Sequence, residues 1–206
     1  MGLDIEQMFD YTLIEMERPI LWPASLGPMI SGRSRPGIRL ALGPRRLPAW
    51  FLARLVPVLA RGARFFWIDG GNSFEAYGAG HAARGRGLDA RRALANVRLA
   101  RPFNLFQLET IVSEKLPALW RGEPVVLSEP LPLFYDEDVP AARARAVLAR
   151  TISAMLKLPA VWLVLLAERR APRGRGEWLE HLKRPAAALS ELRSAGGGLR
   201  LERLEG

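Results

Sequence analysis

The sequence predicts an α/β domain with a mostly parallel central sheet, helices on both faces and a C-terminal antiparallel hairpin. Three observations carry this. FFWI (Phe65–Ile68, within ARFFWIDGG), VVL (Val125–Leu127) and VWLVLLA (Val161–Ala167) are short, continuously apolar runs without a polar alternate residue, as strands buried on both faces require. The stretches between them space their apolar residues helically, and strands alternating with helices build parallel sheets. The end of the chain, LSELRSAGGGLRLERLEG (Leu189–Gly206), reads as two strand-like pieces about a Gly196-Gly197-Gly198 turn at the sheet edge.

Residues 1–17 bring Ile5, Met8, Phe9, Leu13 and Met16 to near-helical spacing and predict a short amphipathic helix. Prolines and glycines from Pro19 to Pro36 then argue for an irregular lead-in. Ile38–Gly43 is the first buried strand, and Ala49–Ala60 a helix that Pro57 would kink or shorten. Ala63–Gly71 is a strand that runs into an Asp-Gly-Gly loop. A small-residue helix follows, and Asp89 is placed to cap a helix over Ala90–Asn96. Val97–Arg101 is a short strand and Phe106–Leu119 a helix. Pro124–Phe134 begins as a buried strand, Pro140–Leu158 is a long helix with Asp138 near its start, and Ala160–Glu168 is the next strand.

Composition narrows the chemistry. The chain has 206 residues, 49% of them apolar, enough for one domain with a sizeable core. With no cysteine there is no disulfide, thiolate metal site or thiol nucleophile. Two isolated histidines, His81 and His181, leave little for a metal, and no catalytic constellation stands out. The start, MGLDIEQMFD, is acidic where a secretory signal is basic, and the longest apolar run, LPAVWLVLLA (Leu158–Ala167), is too short for a bilayer. The expectation is a cytoplasmic protein with no membrane partner. The net charge is +9, and nine arginines between Arg18 and Arg64, with no acid from Arg18 to Ile68, supply all of it. Such a segment attracts a polyanion or an acidic protein face, unless the arginine excess reflects codon composition, only three basic residues being lysine.

Several stretches resemble the core ATPase domain of the RecA/RadA recombinase family. WIDGGNSF (Trp67–Phe74) is similar to its I-D-T-E-G-T-F strand and loop. GLDARRALANVRLARPFN (Gly87–Asn104) resembles G-L-D-x-x-x-x-L-x-N-V-x-x-A-R-x-Y-N and is the most specific match. VVLSEPLPLF (Val125–Phe134) resembles the Walker B region, and VWLVLLAE (Val161–Glu168) a strand the family ends near Asn-Gln. The resemblance covers residues 25–206 as a RecA-like core, with residues 1–24 as an N-terminal helix and irregular lead-in, and without the family's usual N-terminal module.

The departures fall on the chemistry. The family's Gly-x4-Gly-Lys-Ser/Thr loop wraps phosphate in backbone N–H groups, with lysine on the terminal phosphates and the hydroxyl on magnesium. Aligned on Gly43, the last three positions are Pro48, Ala49 and Trp50. The catalytic glutamate corresponds to Gly71 and the Walker B aspartate to Ser128, with Glu129 next to it. The resemblance therefore implies a former nucleotide site kept as scaffold: no ATPase activity, no catalytic residue, no metal and no cofactor.

Binding candidates remain. Arg45 and Arg46, inside the degenerate loop, either hold an anion or face solvent or an acidic partner. Glu129 is either a metal carboxylate or structural, and Asp136-Glu137-Asp138 is most simply the N-terminal charge of a helix. ERRAPRGRGEWLEHLKR (Glu168–Arg184) occupies the place of the family's second DNA-binding loop. It offers Arg169, Arg170, Arg173, Arg175, Lys183 and Arg184 for phosphates and Trp178 for stacking on a base, or else it is a surface loop whose tryptophan caps the core. The resemblance implies single-stranded DNA, a RecA-type recombinase or another acidic-faced protein as partner, in a homodimer or hetero-oligomer. It also implies an alternative: a protein-interaction regulator like the cell-division inhibitor SulA or the mutagenesis factor ImuA, which ignores DNA.

Overall fold

In the computed structural model, residues 20–21, 35–167, 171–172, 175–195 and 198–204 are described. The helix expected over residues 1–17 lies outside them. The strands are β1 (Ile20–Leu21), β2 (Gly37–Gly43), β3 (Phe65–Asp69), β4 (Val97–Ala100), β5 (Val125–Ser128), β6 (Val161–Ala167), β7 (Ala186–Ala195) and β8 (Gly198–Leu204). They form one sheet in the order β1-β8-β7-β2-β6-β5-β3-β4. From β7 to β4 the six strands are all parallel. The first core strand lies between two of the last, β6 and β7, unlike a dinucleotide-binding sheet, whose order is 3-2-1-4-5-6.

The apolar runs alternate between two cores. Phe66, Ile68, Val125, Leu127, Trp162, Val164 and Leu166 point to one side of the sheet. Phe65, Trp67, Val126, Leu163 and Leu165 point to the other. The period of two puts successive side chains on opposite faces, and both faces are covered, so these runs stay apolar. On the second side lie α1 (Leu47–Ala60), α2 (Ala76–Arg84) and α3 (Ala90–Ala95), which pack on one another. On the first side lie α4 (Leu105–Thr110), α5 (Leu116–Leu119), α6 (Leu131–Phe134), α7 (Ala141–Lys157) and α8 (Trp178–Lys183).

Local chemistry explains the boundaries. Asp89 caps α3 by accepting from the Arg92 N–H at 3.1 Å, and Asn104 caps α4 through Gln107 N–H at 2.9 Å. Helix α1 starts at Leu47, earlier than the pattern suggested, because proline is tolerated in the first turn, where its missing N–H has no intrahelical partner. It also continues through Pro57, held by buried Leu55, Val56 and Leu59. The helix expected over Phe106–Leu119 is instead split by a π-helical turn, Ile111–Lys115, just before Pro117, which cannot donate to the preceding turn. Asp138 does not cap α7; its own N–H donates to Asp136 Oδ1 at 3.0 Å, and Pro140 stands at the N-cap.

The C-terminal strands correct the hairpin expectation in its placement. β7 starts at Ala186 and β8 pairs with it antiparallel. The pair does not close the sheet: β1, from the segment expected to be irregular, adds parallel to β8 through Ile20↔Leu199. Gly196 and Gly197 of the expected turn lie outside the described residues. Among the described residues, no helix is long and apolar enough to cross a membrane.

Candidate functional site

The C-terminal ends of β2, β6, β5 and β3 lie side by side, with Gly43 opposite Ala167, Ser128 opposite Leu165 and Asp69 opposite Ser128. This end of a parallel sheet gathers the loops and commonly holds ligands. Residues far apart in sequence, those matched to the nucleotide chemistry, therefore meet along one edge.

The turn after β2 comes first. Only Pro44, Arg45 and Arg46 separate β2 from α1. The Leu47 N–H donates to the Pro44 carbonyl at 2.8 Å and the Trp50 N–H to the Arg46 carbonyl at 2.9 Å. A phosphate cradle needs loop N–H groups that converge on the anion. Here two are committed to the turn and helix, and Pro48 has none. Trp50 is 7% exposed and joins the core with Leu47, Phe51 and Leu55, while Ala49 is half-buried beside it. Over the strand end, a Cβ on Gly43 would stand 2.9 Å from Leu192 Cβ, so β7 fills the space. Arg45 and Arg46 are exposed on the outside of the turn.

Next in the row is a buried polar network. The Trp67 indole N–H donates to Ser128 Oγ at 2.9 Å, and Ser128 Oγ–H donates to Asp69 Oδ1 at 3.0 Å. The same Oδ1 accepts from the Ser73 N–H and hydroxyl at 2.8 and 2.9 Å, while Oδ2 accepts from the Phe74 N–H at 2.9 Å and lies 3.4 Å from Arg101 Nε. Asp69, a buried carboxylate with its lone pairs occupied and a guanidinium alongside, thus folds the Gly70–Phe74 loop back on itself. Ser128, at the Walker B position, bridges Trp67 to Asp69.

Glu129 completes the row. It is buried, its backbone is left-handed at φ 50, and its carboxylate accepts from the Ala167 N–H. Its side chain fills the space into which a Cβ on Gly71 would project, and its carbonyl would sit 2.8 Å from a Cβ on Gly70. Glycine at position 71 is thus a packing requirement. Gly71→Ala is expected to cost about 1–3 kcal/mol by overpacking, read as a lower urea midpoint. Recovery in the double variant with Glu129→Gly would identify the contact, and unchanged stability of the single variant would show the space to be empty.

Beside the row lies a cavity of about 410 Å³ whose lining includes Leu42, Leu131, Tyr135, Leu166, Glu129 and Glu191. Its described charged lining residues are both carboxylates. Of the residues expected to contact DNA, the described ones do not converge on an open surface. Trp178 is 0% exposed, edge-on to Phe134 and stacked on Tyr135 with ring centroids 6.0 Å apart in both cases. Arg175 is 6% exposed; its guanidinium donates to the Phe134 carbonyl and, at 2.7 Å, to the Val139 carbonyl, and lies 5.0 Å from the Trp178 ring centroid. This corrects the expectation for both: neither presents a face to a nucleic acid, because both anchor the approach to α8. Lys183 pairs with Glu180 at 2.8 Å, and Arg184 is exposed. Arg169, Arg170 and Arg173 lie outside the described residues.

Among the described residues, no three His, Cys, Asp or Glu side chains group as a metal site would require. Sequence reasoning missed the roles of Asp69 and Leu192. Asp69 was legible as the acid before Gly-Gly in an otherwise apolar strand, whereas Leu192 had no local signal, since it meets Gly43 only through the β2–β7 pairing. No protein-family model matches the chain, and no curated protein matches it.

Proposed function

We propose that the chain is a cytoplasmic, RecA-like accessory factor of DNA recombination or repair that neither binds nor hydrolyses ATP and works by binding single-stranded DNA, a recombinase, or both. The observation that carries the reading is that one continuous row, Gly43–Ala167–Glu129–Gly71, gathers the positions matched to nucleotide chemistry and fills each from within the protein. Leu192 covers Gly43, Trp50 is core, and Glu129 takes the space at Gly71. The cavity alongside adds carboxylates, the wrong sign for a triphosphate. Titration calorimetry with ATP and magnesium is expected to give no binding heat. Saturable heat, or density for three phosphates at Gly43–Trp50, would sink the reading.

The burial of Trp178 and Arg175 favours a second reading, a protein-interaction regulator that does not contact DNA. Pull-down from the native extract separates the two: a partner retained after nuclease treatment supports the second, and loss of all partners on nuclease treatment supports the first.

A further inference from the structure

The two most exposed large apolar side chains among the described residues are Tyr77, at 89%, and Phe103, at 85%. Both stand at the C-terminal end of the β3–β4 side of the sheet. Tyr77 sits in the first turn of α2, after the loop that Asp69 organises, and Phe103 follows β4. Arg101 joins the two loops, with Nε beside Asp69 and Nη2 donating to the Phe74 carbonyl at 3.3 Å. The Phe103 N–H donates to Gln107 Oε1 at 2.8 Å. Both rings are therefore carried on backbone that is held in place.

Arginines outnumber acids around them. Helix α2 turns Ala79, Gly80 and Ala83 to the core, so Tyr77, His81 and Arg84, at i, i+4 and i+7, form its outward stripe. Neighbouring α3 adds exposed Arg91 and Arg92, and neither these two nor Arg84 has a carboxylate in ion-pair range among the described residues. Burial, and then the nearby charge of Arg86, hold Arg54 of α1 below its ordinary pKa. On the opposite layer three cations are paired, Arg150 with Glu109, Arg145 with Glu177 and Lys183 with Glu180, while Arg143 lies over the Phe106 ring. Arg84, Arg91 and Arg92 together make a positive strip that attracts an anion.

We propose that this surface, Tyr77, His81, Arg84, Arg91, Arg92 and Phe103, binds single-stranded nucleic acid, with the two rings as stacking platforms and the three arginines on phosphates. The assignment rests on the single-strand reading above and moves its site from the approach to α8 to the outer stripe of α2. A strand is favoured over an acidic protein by the arrangement of the rings. A protein hot spot is a contiguous, desolvated apolar patch. Here each ring stands singly among polar and charged side chains, with Glu75 and His81 near Tyr77 and Arg101 near Phe103, as a stacking platform on a polar track does. A duplex would leave the rings idle, since its bases are already stacked.

The test is fluorescence anisotropy with labelled oligothymidylate across a salt series. The wild-type chain is expected to bind, more weakly as salt rises. Tyr77→Ala and Phe103→Ala should each weaken binding about tenfold. Arg84→Ala should lower the slope of log K against log salt by about 0.7, and Arg184→Ala should change nothing. All four side chains are exposed, so thermal melting should stay at the wild-type midpoint. If the wild type binds but only Arg184→Ala weakens it, this surface is wrong while the single-strand reading stands. Polyglutamate displacing the oligonucleotide as well as unlabelled DNA does would overturn the proposal in favour of protein docking. No binding at any salt would remove the surface and the single-strand reading together.

Discussion

Trp178→Ala is expected to destabilise the protein by about 3–5 kcal/mol, the range for deleting a buried indole, whereas Trp178→Phe should cost far less. The ring is fully buried against Phe134 and Tyr135, and it lies beneath the Arg175 guanidinium. Alanine would leave a cavity under α8 and strip the π-face from a buried cation that otherwise keeps only carbonyl partners. Phenylalanine keeps a ring in contact and loses little polar bonding, because the Trp178 indole N–H is buried without an acceptor. Urea denaturation followed by circular dichroism reads both variants. A near-wild-type midpoint for Trp178→Ala would mean that the tryptophan is a surface ring after all and would return it to the nucleic-acid candidates. Arg175→Ala should follow the same direction through lost contacts to the Phe134 and Val139 carbonyls.

That residue also marks where sequence reasoning stops. Strands β3, β5 and β6 were legible because a run without polar alternates can only be buried on both faces, and the Asp89 cap because a short acid before a helical pattern has one local use. The turn at Gly43 was legible as lacking the residues of a phosphate loop but not as filled space: Leu192 reaches it through sheet pairing and Trp50 turns into the core by helix rotation, which no local pattern encodes. The basic, glycine-rich approach to Trp178 reads by composition like a nucleic-acid loop. Whether its ring points inward depends on the rotation of a helix of six residues, too short for a periodic signal. The α2 stripe, by contrast, was within reach. In AYGAGHAAR (Ala76–Arg84) the small residues Ala79, Gly80 and Ala83 share one face, which turns the one aromatic side chain, Tyr77, outward. A two-residue strand such as β1 has no periodicity to read.

Building a phosphate loop at Gly43 should fail, and with a larger effect than Trp178→Ala. The triple variant Pro48→Gly, Ala49→Lys, Trp50→Ser installs a Gly-Lys-Ser triplet at the spacing set by Gly43. In a site merely lacking three side chains it would recover affinity for magnesium nucleotide. Here Trp50 belongs to the core that joins α1 to β3, and its loss alone carries about 3–5 kcal/mol. A glycine in the first turn of α1 adds up to about 1 kcal/mol, and a lysine at half-buried position 49 brings a charge to be desolvated. The sum approaches or exceeds the whole stability of many domains, about 5–15 kcal/mol, so the variant is expected to be unfolded or molten. Should it fold, it still lacks a cradle: three residues link β2 to α1, their turn hydrogen bonds are closed, and Leu192 stands over Gly43. Thermal melting with and without ATP and magnesium is the measurement. A folded triple variant whose melting midpoint rises with nucleotide would show that the pocket persists beneath its substitutions and that only the chemistry was removed. A low midpoint indifferent to nucleotide is what a site filled by its own core produces.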